Sequence, residues 1–340
     1  MKFGIFLLNQ WPLGEDMATK ISEAVEQVRA AKEAGFDILA TGQHYLSYPY
    51  QLPASIPFLS RLAAEAEGMV IAPLVLLLPL LRPVDVAESM ATLDAITGGR
   101  TIMGVGLGYR EEENAAFDSP VKERLPRLLE SLELIKQLWT QKEVEFKGEY
   151  YTLPRVKLST QPLQKPHPPI WMAANADSAV KRAARQGYPW IINPHVTVAT
   201  TARQIKLYRQ EQKEAGIGPV KEMPMIREAF VSNEPSSAYE KARPYLEPKY
   251  EAYAAWGQGD VLPGEETFKL PFEDLARDRF LIGSPDDIIN EVERYERDLG
   301  ITHMFFRIQW PGMPHEEAMR EFRLFRDHII PHFKLRDSRS

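Results

Sequence analysis

A histidine early in the chain is the first residue whose type and position could support chemistry. His44 follows the apolar run 36–41 and lies within Gly42-Gln43-His44-Tyr45, where a strand would end and a loop begin. Imidazole titrates near neutral pH, so a histidine there can accept or donate a proton during catalysis. No second histidine lies three or four residues away and no carboxylate cluster follows, so no metal site is predicted. The alternative is a polar side chain that only satisfies hydrogen bonds near a loop.

A glycine-rich segment, Gly104-Val105-Gly106-Leu107-Gly108-Tyr109, lies at the end of another predicted strand. Glycines there would let a flat ligand approach the backbone closely. The segment lacks the third glycine and the ribose-binding acid of a dinucleotide-binding fingerprint, so it does not indicate a nicotinamide cofactor. A tight turn without a ligand is the alternative interpretation.

The segment Asn175-Ala176-Asp177-Ser178 lies where a predicted strand runs directly into a helix. Its polar members are residue types that commonly cap helix N-termini. The free amides of a first helical turn, together with the helix dipole, suit a phosphate group. Every helix of an α/β barrel has such an end, so this signal alone is weak.

Polar and apolar residues alternate in the last predicted strand. Alternation along 304–309 places Phe305, Arg307 and Gln309 on one face. The other face must pack against helices, so this set should face the barrel interior near its mouth. We predict that Arg307 is buried and pairs with a carboxylate such as Glu228, which would hold the barrel together.

These residues need a scaffold, and the chain alternates short apolar runs with amphipathic segments of helical length. Near-continuous apolar runs are typical of strands that are covered on both faces. About eight strand–helix units predict an α/β fold, a single-domain (β/α)8 TIM barrel over residues 1–340, with a doubly wound open sheet as the alternative. The predicted strands are 3–8, 36–41, 69–76, 101–106, 169–174, 189–193, 223–232 and 303–309.

Two stretches exceed the bare barrel, one after the fourth strand and one after the seventh. Residues 143–168 are predicted to form a surface excursion, in which 146–151 resemble a small hairpin. Residues 256–279 contain Gly257, Gly259 and Gly264 among polar residues. A loop of that length is usually a lid or disordered, so we predict a mobile active-site lid.

Composition excludes several classes of protein. The chain has 340 residues, 44% of them hydrophobic, a net charge of −6 and no cysteine, so disulfides, thiolate metal sites and cysteine nucleophiles are excluded. Lysine and arginine are dispersed, and no polybasic patch indicates nucleic acid or a membrane surface. The strongest apolar run, 69–81, is shorter than the ~20 residues of a membrane span. We expect a soluble, cytoplasmic protein with no nucleic-acid or membrane partner.

The order and spacing of several short motifs resemble the bacterial luciferase-like flavin monooxygenase family over nearly the whole chain. No single motif is decisive. The matching segments are Met1-Lys2-Phe3-Gly4-Ile5-Phe6-Leu7-Leu8, Ala34-Gly35-Phe36-Asp37, Leu78-Pro79, Arg82-Pro83, Leu93-Asp94, Gly98-Gly99-Arg100, Pro169-Ile170-Trp171, Ala183-Ala184 with Gly187, Ile282-Gly283-Ser284-Pro285 and Ile330-Pro331.

The resemblance implies a (β/α)8 barrel that binds reduced FMN, or a deazaflavin in one branch, at the mouth formed by the strand C-terminal ends. It implies that His44 is the catalytic histidine and that a non-prolyl cis peptide, Leu74–Val75, lies against the flavin ring. Segment 256–279 matches the lid. The remaining cofactor-binding residues that it implies are Gly106, Gly108 and Tyr109 for the ring and ribityl chain, and Asn175, Ala176, Asp177 and Ser178 for the phosphate.

The chain departs from the family pattern at four positions. Gln43 replaces a common glutamate and Tyr45 replaces a second histidine, so the substrate chemistry need not be that of light emission. Leu107 stands in place of a phosphate-binding arginine, and Ala179 in place of a hydroxyl. The phosphate would then rest on backbone amides, Ser178 and Arg110, which suits an enzyme that receives reduced flavin from a separate reductase.

The leading hypothesis is a monooxygenase that uses reduced FMN from a separate reductase and O2 to oxygenate a small apolar, aldehyde-like or ketone-like substrate. A deazaflavin-dependent dehydrogenase and a non-catalytic flavin-binding protein are the alternatives. The family dimerises through the region of the helices predicted at 53–66 and 85–97, whose small residues allow close approach. We therefore expect a homodimer, or a heterodimer if a sister subunit exists.

Overall fold

A ring of eight parallel strands forms the centre of the protein in a computed structural model that describes residues 1–337. Neighbouring strands pair in chain order and the first pairs with the eighth. Bridges between Ile71 and Thr101, and between Ile192 and Met225, join the third strand to the fourth and the sixth to the seventh. The predicted TIM barrel is confirmed, and the open sheet was the wrong alternative. The strands are Lys2–Phe6, Ile38–Thr41, Val70–Pro73, Met103–Gly106, Ile170–Ala173, Trp190–Ile191, Pro224–Val231 and His303–Arg307.

Helices surround the barrel, and local sequence sets their ends. Asp16 accepts a hydrogen bond from the Thr19 amide at the start of the first helix, and Gly35 ends it in the left-handed conformation, with φ of 93°. Within residues 1–337, no helix combines the length and apolarity needed to cross a membrane. The helices are Met17–Ala34, Ser55–Ala63, Pro83–Thr97, Glu111–Ala116, Arg124–Thr140, Asp177–Arg185, Val198–Glu214, Pro235–Ala255, Phe272–Ala276, Pro285–Arg294, His315–Leu324 and Ile330–Asp337.

The barrel interior is filled with side chains below the mouth. Phe6, Ala40, Trp171 and Phe305 belong to a buried apolar cluster inside the ring, and Gly4 leaves the space that the Phe305 ring occupies. Arg307, two residues further along the strand, lines a cavity instead. The predicted alternation of the last strand is thus confirmed. Phe305 belongs to the apolar cluster inside the barrel, and Arg307 and Gln309 line the cavity at its mouth.

The two insertions differ in character. Strands Val144–Lys147 and Thr152–Val156 form the predicted antiparallel hairpin. Residues 256–279, which we call the cover segment, contain the helix Phe272–Ala276 and follow the long helix Pro235–Ala255. The cover segment packs through Phe268 and Phe272 into a buried aromatic cluster with that long helix.

Candidate active site

A cavity of about 330 Å³ lies at the C-terminal ends of the barrel strands. Most of the residues predicted for the site come together there, although Asp177 and Ser178 do not line the cavity. The predicted residues that line it are His44, Leu74, Val75, Gly106, Gly108, Tyr109, Asn175 and Ala176.

His44 is held by a buried carboxylate. Its Nδ1 lies 2.9 Å from Oε1 of Glu113, and the same oxygen accepts the Tyr45 amide at 2.8 Å. The Glu113 side chain has no exposed surface, whereas that of His44 is 18% exposed. An ionised Glu113 requires Nδ1 to carry a proton, which leaves Nε2 free to exchange a proton with a ligand.

Leu74 and Val75, which directly follow the third strand, form an apolar shelf beside the fourth strand. The Leu74–Val75 peptide bond is cis, as predicted. A Cβ atom at Gly104 would lie 2.7 Å from the Pro73 carbonyl oxygen, and one at Gly106 would lie 2.7 Å from Cγ2 of Val75. The glycines therefore make room for the Leu74–Val75 shelf, a role that the prediction of close ligand approach did not include.

Arg124 provides a positive charge near the predicted phosphate end. Its Nη1 donates to the Gly108 carbonyl at 2.7 Å, and the residue lines the cavity. Asn175 lies two residues beyond the neighbouring fifth strand, and its Oδ1 accepts from Nδ2 of Asn193 at 2.9 Å. These groups and the amide of Ala176 could hold a phosphate at the mouth.

Two residues expected near the phosphate are engaged elsewhere. Asp177 binds Arg203, with Oδ1 2.9 Å from Nη2, and the hydrogen bond from Arg203 lowers the pKa of this carboxyl. Arg110 is buried and donates to the carbonyls of Tyr45 and Leu46 at 2.6 and 3.0 Å. The expectation that Arg110 binds phosphate is therefore wrong, because its guanidinium fixes the loop that carries His44.

Gln43 and Tyr45, two of the residues that differ from the family pattern, are hydrogen-bonded to each other. Gln43 Nε2 donates to the Tyr45 hydroxyl at 3.0 Å, while Gln43 Oε1 accepts the Leu77 amide at 2.9 Å. This arrangement ties the end of the second strand to the segment that follows the shelf. Gln43 and Tyr45 thus position the site, and only Gln43 lines the cavity.

The cover segment closes the mouth through Trp256 and Gln258. The Trp256 ring lies 5.8 Å from the His44 ring, and its Nε1 donates to the Tyr48 carbonyl at 3.1 Å. Gln258 accepts from the Tyr109 hydroxyl at 3.1 Å. Burial raises the pKa of Tyr109 well above its usual range, so the phenol stays protonated and donates to the cover.

Charged residues occupy the side of the cavity formed by the later strands. Arg307 Nη1 lies 3.6 Å from Oε1 of Glu228, which confirms the predicted pair. Lys249 Nζ lies 2.6 Å from the same oxygen. Burial lowers the pKa of Lys249 to about 7. Burial opposes ionisation of Glu228 as well, but the charges of Lys249 and Arg307 lower its pKa.

Four site residues escaped the sequence analysis. Glu113 and Arg124 follow the glycine-rich segment in a charged stretch that looks like an exposed helix start. Lys249 lies in a helix that contains two internal prolines. His195 follows the sixth strand as His44 follows the second, so the same positional reasoning could have identified it. Within residues 1–337, no three histidine, aspartate or glutamate side chains could hold a metal ion.

Known proteins with similar sequences and folds include both flavin and deazaflavin enzymes. The F420-dependent glucose-6-phosphate dehydrogenase of Amycolatopsis mediterranei is 28% identical over 321 residues, 88% of this chain and 92% of that protein. Monooxygenase RslO1 from Streptomyces bottropensis superposes with a TM-score of 0.86 at 26% identity, covering 98% of this chain and 100% of that one. The oxygenating constituent of 3,6-diketocamphane monooxygenase from Pseudomonas putida, solved with FMN, has a TM-score of 0.79 over 96% of each chain. Its 16% identity shows the fold alone.

The match to a known family extends over most of the protein. The family model described as luciferase-like monooxygenase matches residues 1–303. The structure has the barrel, the cis Leu74–Val75 peptide and the histidine at the mouth that the sequence resemblance implies. The chain belongs to the luciferase-like monooxygenase family.

Proposed function

We propose that this protein is a monooxygenase that uses reduced FMN, supplied by a separate reductase, and O2 to oxygenate a small organic substrate. The observation that carries the proposal is a covered cavity in which an apolar shelf shares the mouth with the His44–Glu113 pair. Reduced FMN would supply two electrons, so that one oxygen atom enters the substrate and the other leaves as water.

The residues present fit FMN. The Leu74–Val75 shelf offers an apolar surface to a flat ring, and Gly106 and Gly108 leave the strand end free of bulky side chains. Arg124 and the helix start beyond Asn175 offer positive charge to a phosphate. The cofactor would thus lie with its ring over the shelf and its phosphate at the mouth.

His44 is proposed to move a proton at the reacting centre. Glu113 holds Nδ1, so Nε2 is the atom that takes or gives a proton. The cover segment excludes water through Trp256 and the Tyr109–Gln258 hydrogen bond. Water exclusion protects reactive species from hydrolysis, which an oxygenase requires.

A deazaflavin-dependent dehydrogenase is the second candidate. The relative at 28% identity is named as F420-dependent, and a histidine backed by a carboxylate could also take a proton from an alcohol. In that reaction a hydride passes from substrate to cofactor without oxygen.

One set of titrations tests the proposal. Purified protein is titrated anaerobically with reduced FMN and with F420, and the complexes are then mixed with O2. We expect binding of reduced FMN and a protein-dependent change in the rate at which oxidised FMN returns. Tight binding of F420 with no effect on reduced FMN oxidation would reject the monooxygenase in favour of the dehydrogenase. Binding of FMN with no change in the oxygen reaction, in wild type and His44→Ala alike, would favour a non-catalytic flavin-binding protein.

A further inference from the structure

The charged residues that line the cavity are all basic. Arg124, Lys249 and Arg307 are the charged residues among the described lining residues, and none of that set is acidic, although the chain has a net charge of −6. Arg124 belongs to the end proposed for the FMN phosphate. Lys249 and Arg307 lie on the opposite side of the mouth, after the seventh strand and in the eighth. A second basic region therefore remains once the phosphate has been assigned.

The second region carries an excess positive charge. Lys249 and Arg307 share Glu228, whose other oxygen accepts from Nε1 of Trp310 at 2.6 Å. When Lys249 is protonated, two cations and one carboxylate leave a net charge of +1. Charges act strongly on one another where water is scarce, so this side of the cavity should attract an anion.

His195 adds a polar atom that lacks a partner. Its side chain is 4% exposed and lines the cavity, and its Nδ1 has no hydrogen-bond partner within residues 1–337. Burial and the nearby Arg307 and Lys249 charges hold the pKa of His195 well below its usual range. The neutral ring can still donate one N–H. With the proton on Nε2, the nitrogen that is not enclosed, the ring would donate to an oxyanion in the cavity.

Aromatic rings surround the same place. Tyr253 and Phe268 each lie 5.6 Å from the His195 ring, and Tyr250 lies 5.7 Å from it. Of these three rings, only Tyr253 lines the cavity, whereas Tyr250 and Phe268 pack around His195 in the buried aromatic cluster. Phe6 also lines the cavity, and Cζ of Arg307 lies 4.0 Å from the centroid of its ring. The region thus combines an anion-binding point with surfaces that suit a planar hydrocarbon.

We propose that the substrate carries an acidic oxygen on a flat apolar body, and that Arg307 and His195 bind this oxyanion while Lys249 adds charge. A carboxylate and an ionised phenol or enol share this chemistry. The inference rests on the proposed function in treating this side of the mouth as the substrate side. It replaces the expectation of a purely apolar aldehyde or ketone.

Binding of two matched probes tests the inference. Calorimetric titrations compare 2-naphthoate with the neutral 2-naphthamide, without flavin and with oxidised FMN added. We expect wild type to bind naphthoate at least about tenfold more tightly, the usual size of a charged hydrogen bond. Arg307→Gln should lose that preference while keeping its affinity for naphthamide within about twofold. Arg124→Gln is the matched control and should keep the preference.

A second variant guards against misfolding. Lys249→Met leaves Glu228 paired with Arg307, so no buried charge becomes unpaired, and the variant should retain a preference that depends on Arg307. Equal affinities in wild type, no binding of either probe, a preference lost with Arg124→Gln, or a loss of FMN affinity instead in Arg307→Gln would each overturn the inference. The titration needs neither reduced flavin nor oxygen. A preference for naphthoate in a protein that turns over with F420 would therefore reject the proposed function alone.

Discussion

At the scale of single residues, Glu113 determines what His44 can do. A fully buried carboxylate that holds Nδ1 fixes the ring orientation and leaves the other nitrogen available for the proposed proton exchange. Arg110 supports the same loop through two backbone carbonyls. The histidine is therefore pre-positioned by the protein and does not depend on a ligand for its orientation.

We expect His44→Ala to reduce coupled product formation by about 10²–10⁴-fold, the usual contribution of general acid–base catalysis. The fold should persist, since His44 lies at the mouth and not in the core. The measurement is the fraction of consumed oxygen that is recovered as hydrogen peroxide. His332→Ala is the control, because that half-exposed histidine pairs with Glu293 on the surface. Normal coupling in His44→Ala would show that the histidine is only structural.

The shelf gives a second residue-scale prediction. In Gly104→Ala the new Cβ would lie 2.7 Å from the Pro73 carbonyl oxygen, which belongs to the backbone and cannot rotate away. Overpacking of this kind costs about 1–3 kcal/mol in the free energy of unfolding, measurable by urea titration. Gly218→Ala meets no atom within 4 Å and should change that free energy by less than about 0.5 kcal/mol. Equal stabilities of the two variants would contradict the steric argument.

At the scale of elements, the sequence predicted the eight strands, but it did not predict the helix that brings Lys249 to the cavity. Buried parallel strands are near-continuous apolar runs, and all eight were recognisable. The helix Pro235–Ala255 was not predicted, because Pro244 and Pro248 within it lack the amide that a helix normally uses. Lys249 lies in that helix. Its contribution to the cavity could therefore be found only from the folded structure.

The sequence predicts a mobile lid over the cover segment, because glycines and polar residues separate its apolar positions. Phe268 and Phe272 are buried, and Arg279 pairs with Glu266. Phe268 and Phe272 are four residues apart, a helical spacing, but Pro271 lies between them and the helix covers only Phe272–Ala276. Such a short periodic pattern could not reveal the packing. Removing the whole segment would expose the aromatic cluster. A single substitution at its contact with His44 is therefore a cleaner test than deletion.

We expect Trp256→Ala to loosen the cover while leaving the barrel folded. The ring stacks on Tyr253 at 5.6 Å and contacts His44, so its loss should admit water. Limited proteolysis should cut 256–279 faster, and more of the consumed oxygen should appear as hydrogen peroxide. Leu270→Ala, an exposed position in the same segment, should change neither. Faster cutting without a change in peroxide would show that the segment does not shield the site.

At the scale of the whole molecule, we expect two copies of the protein to associate through the helices Ser55–Ala63 and Pro83–Thr97. Ile96, near the end of the second helix, is 52% exposed, and a partner subunit would cover it. We expect a homodimer by light scattering at micromolar concentration, and Ile96→Glu should shift it towards monomer, since a buried unpaired charge is costly. Leu13→Glu, at an exposed apolar residue outside these two helices, is the control. A monomeric wild type would contradict the prediction.

The stability of the whole molecule should also depend on pH through Glu321. This buried carboxyl joins the helix His315–Leu324 to the seventh strand, where Oε2 accepts the Val231 amide at 2.7 Å. Burial raises the pKa of Glu321 from 4.5 to about 8, although the Arg320 charge lowers it in part. The folded protein then keeps a proton that the unfolded chain has lost.

The sign of the effect follows from that proton. Below about pH 4.5 both states are protonated, and between about pH 4.5 and 8 the folded state binds more protons. The free energy of unfolding should therefore fall as pH rises through this window, by up to about 1.4 kcal/mol per pH unit from this group. Glu321→Gln should remove that component in urea titrations at several pH values. Glu317→Gln, whose half-exposed carboxylate also pairs with Arg320, should keep it, and an unchanged slope in Glu321→Gln would show that this carboxyl is ionised in the folded protein.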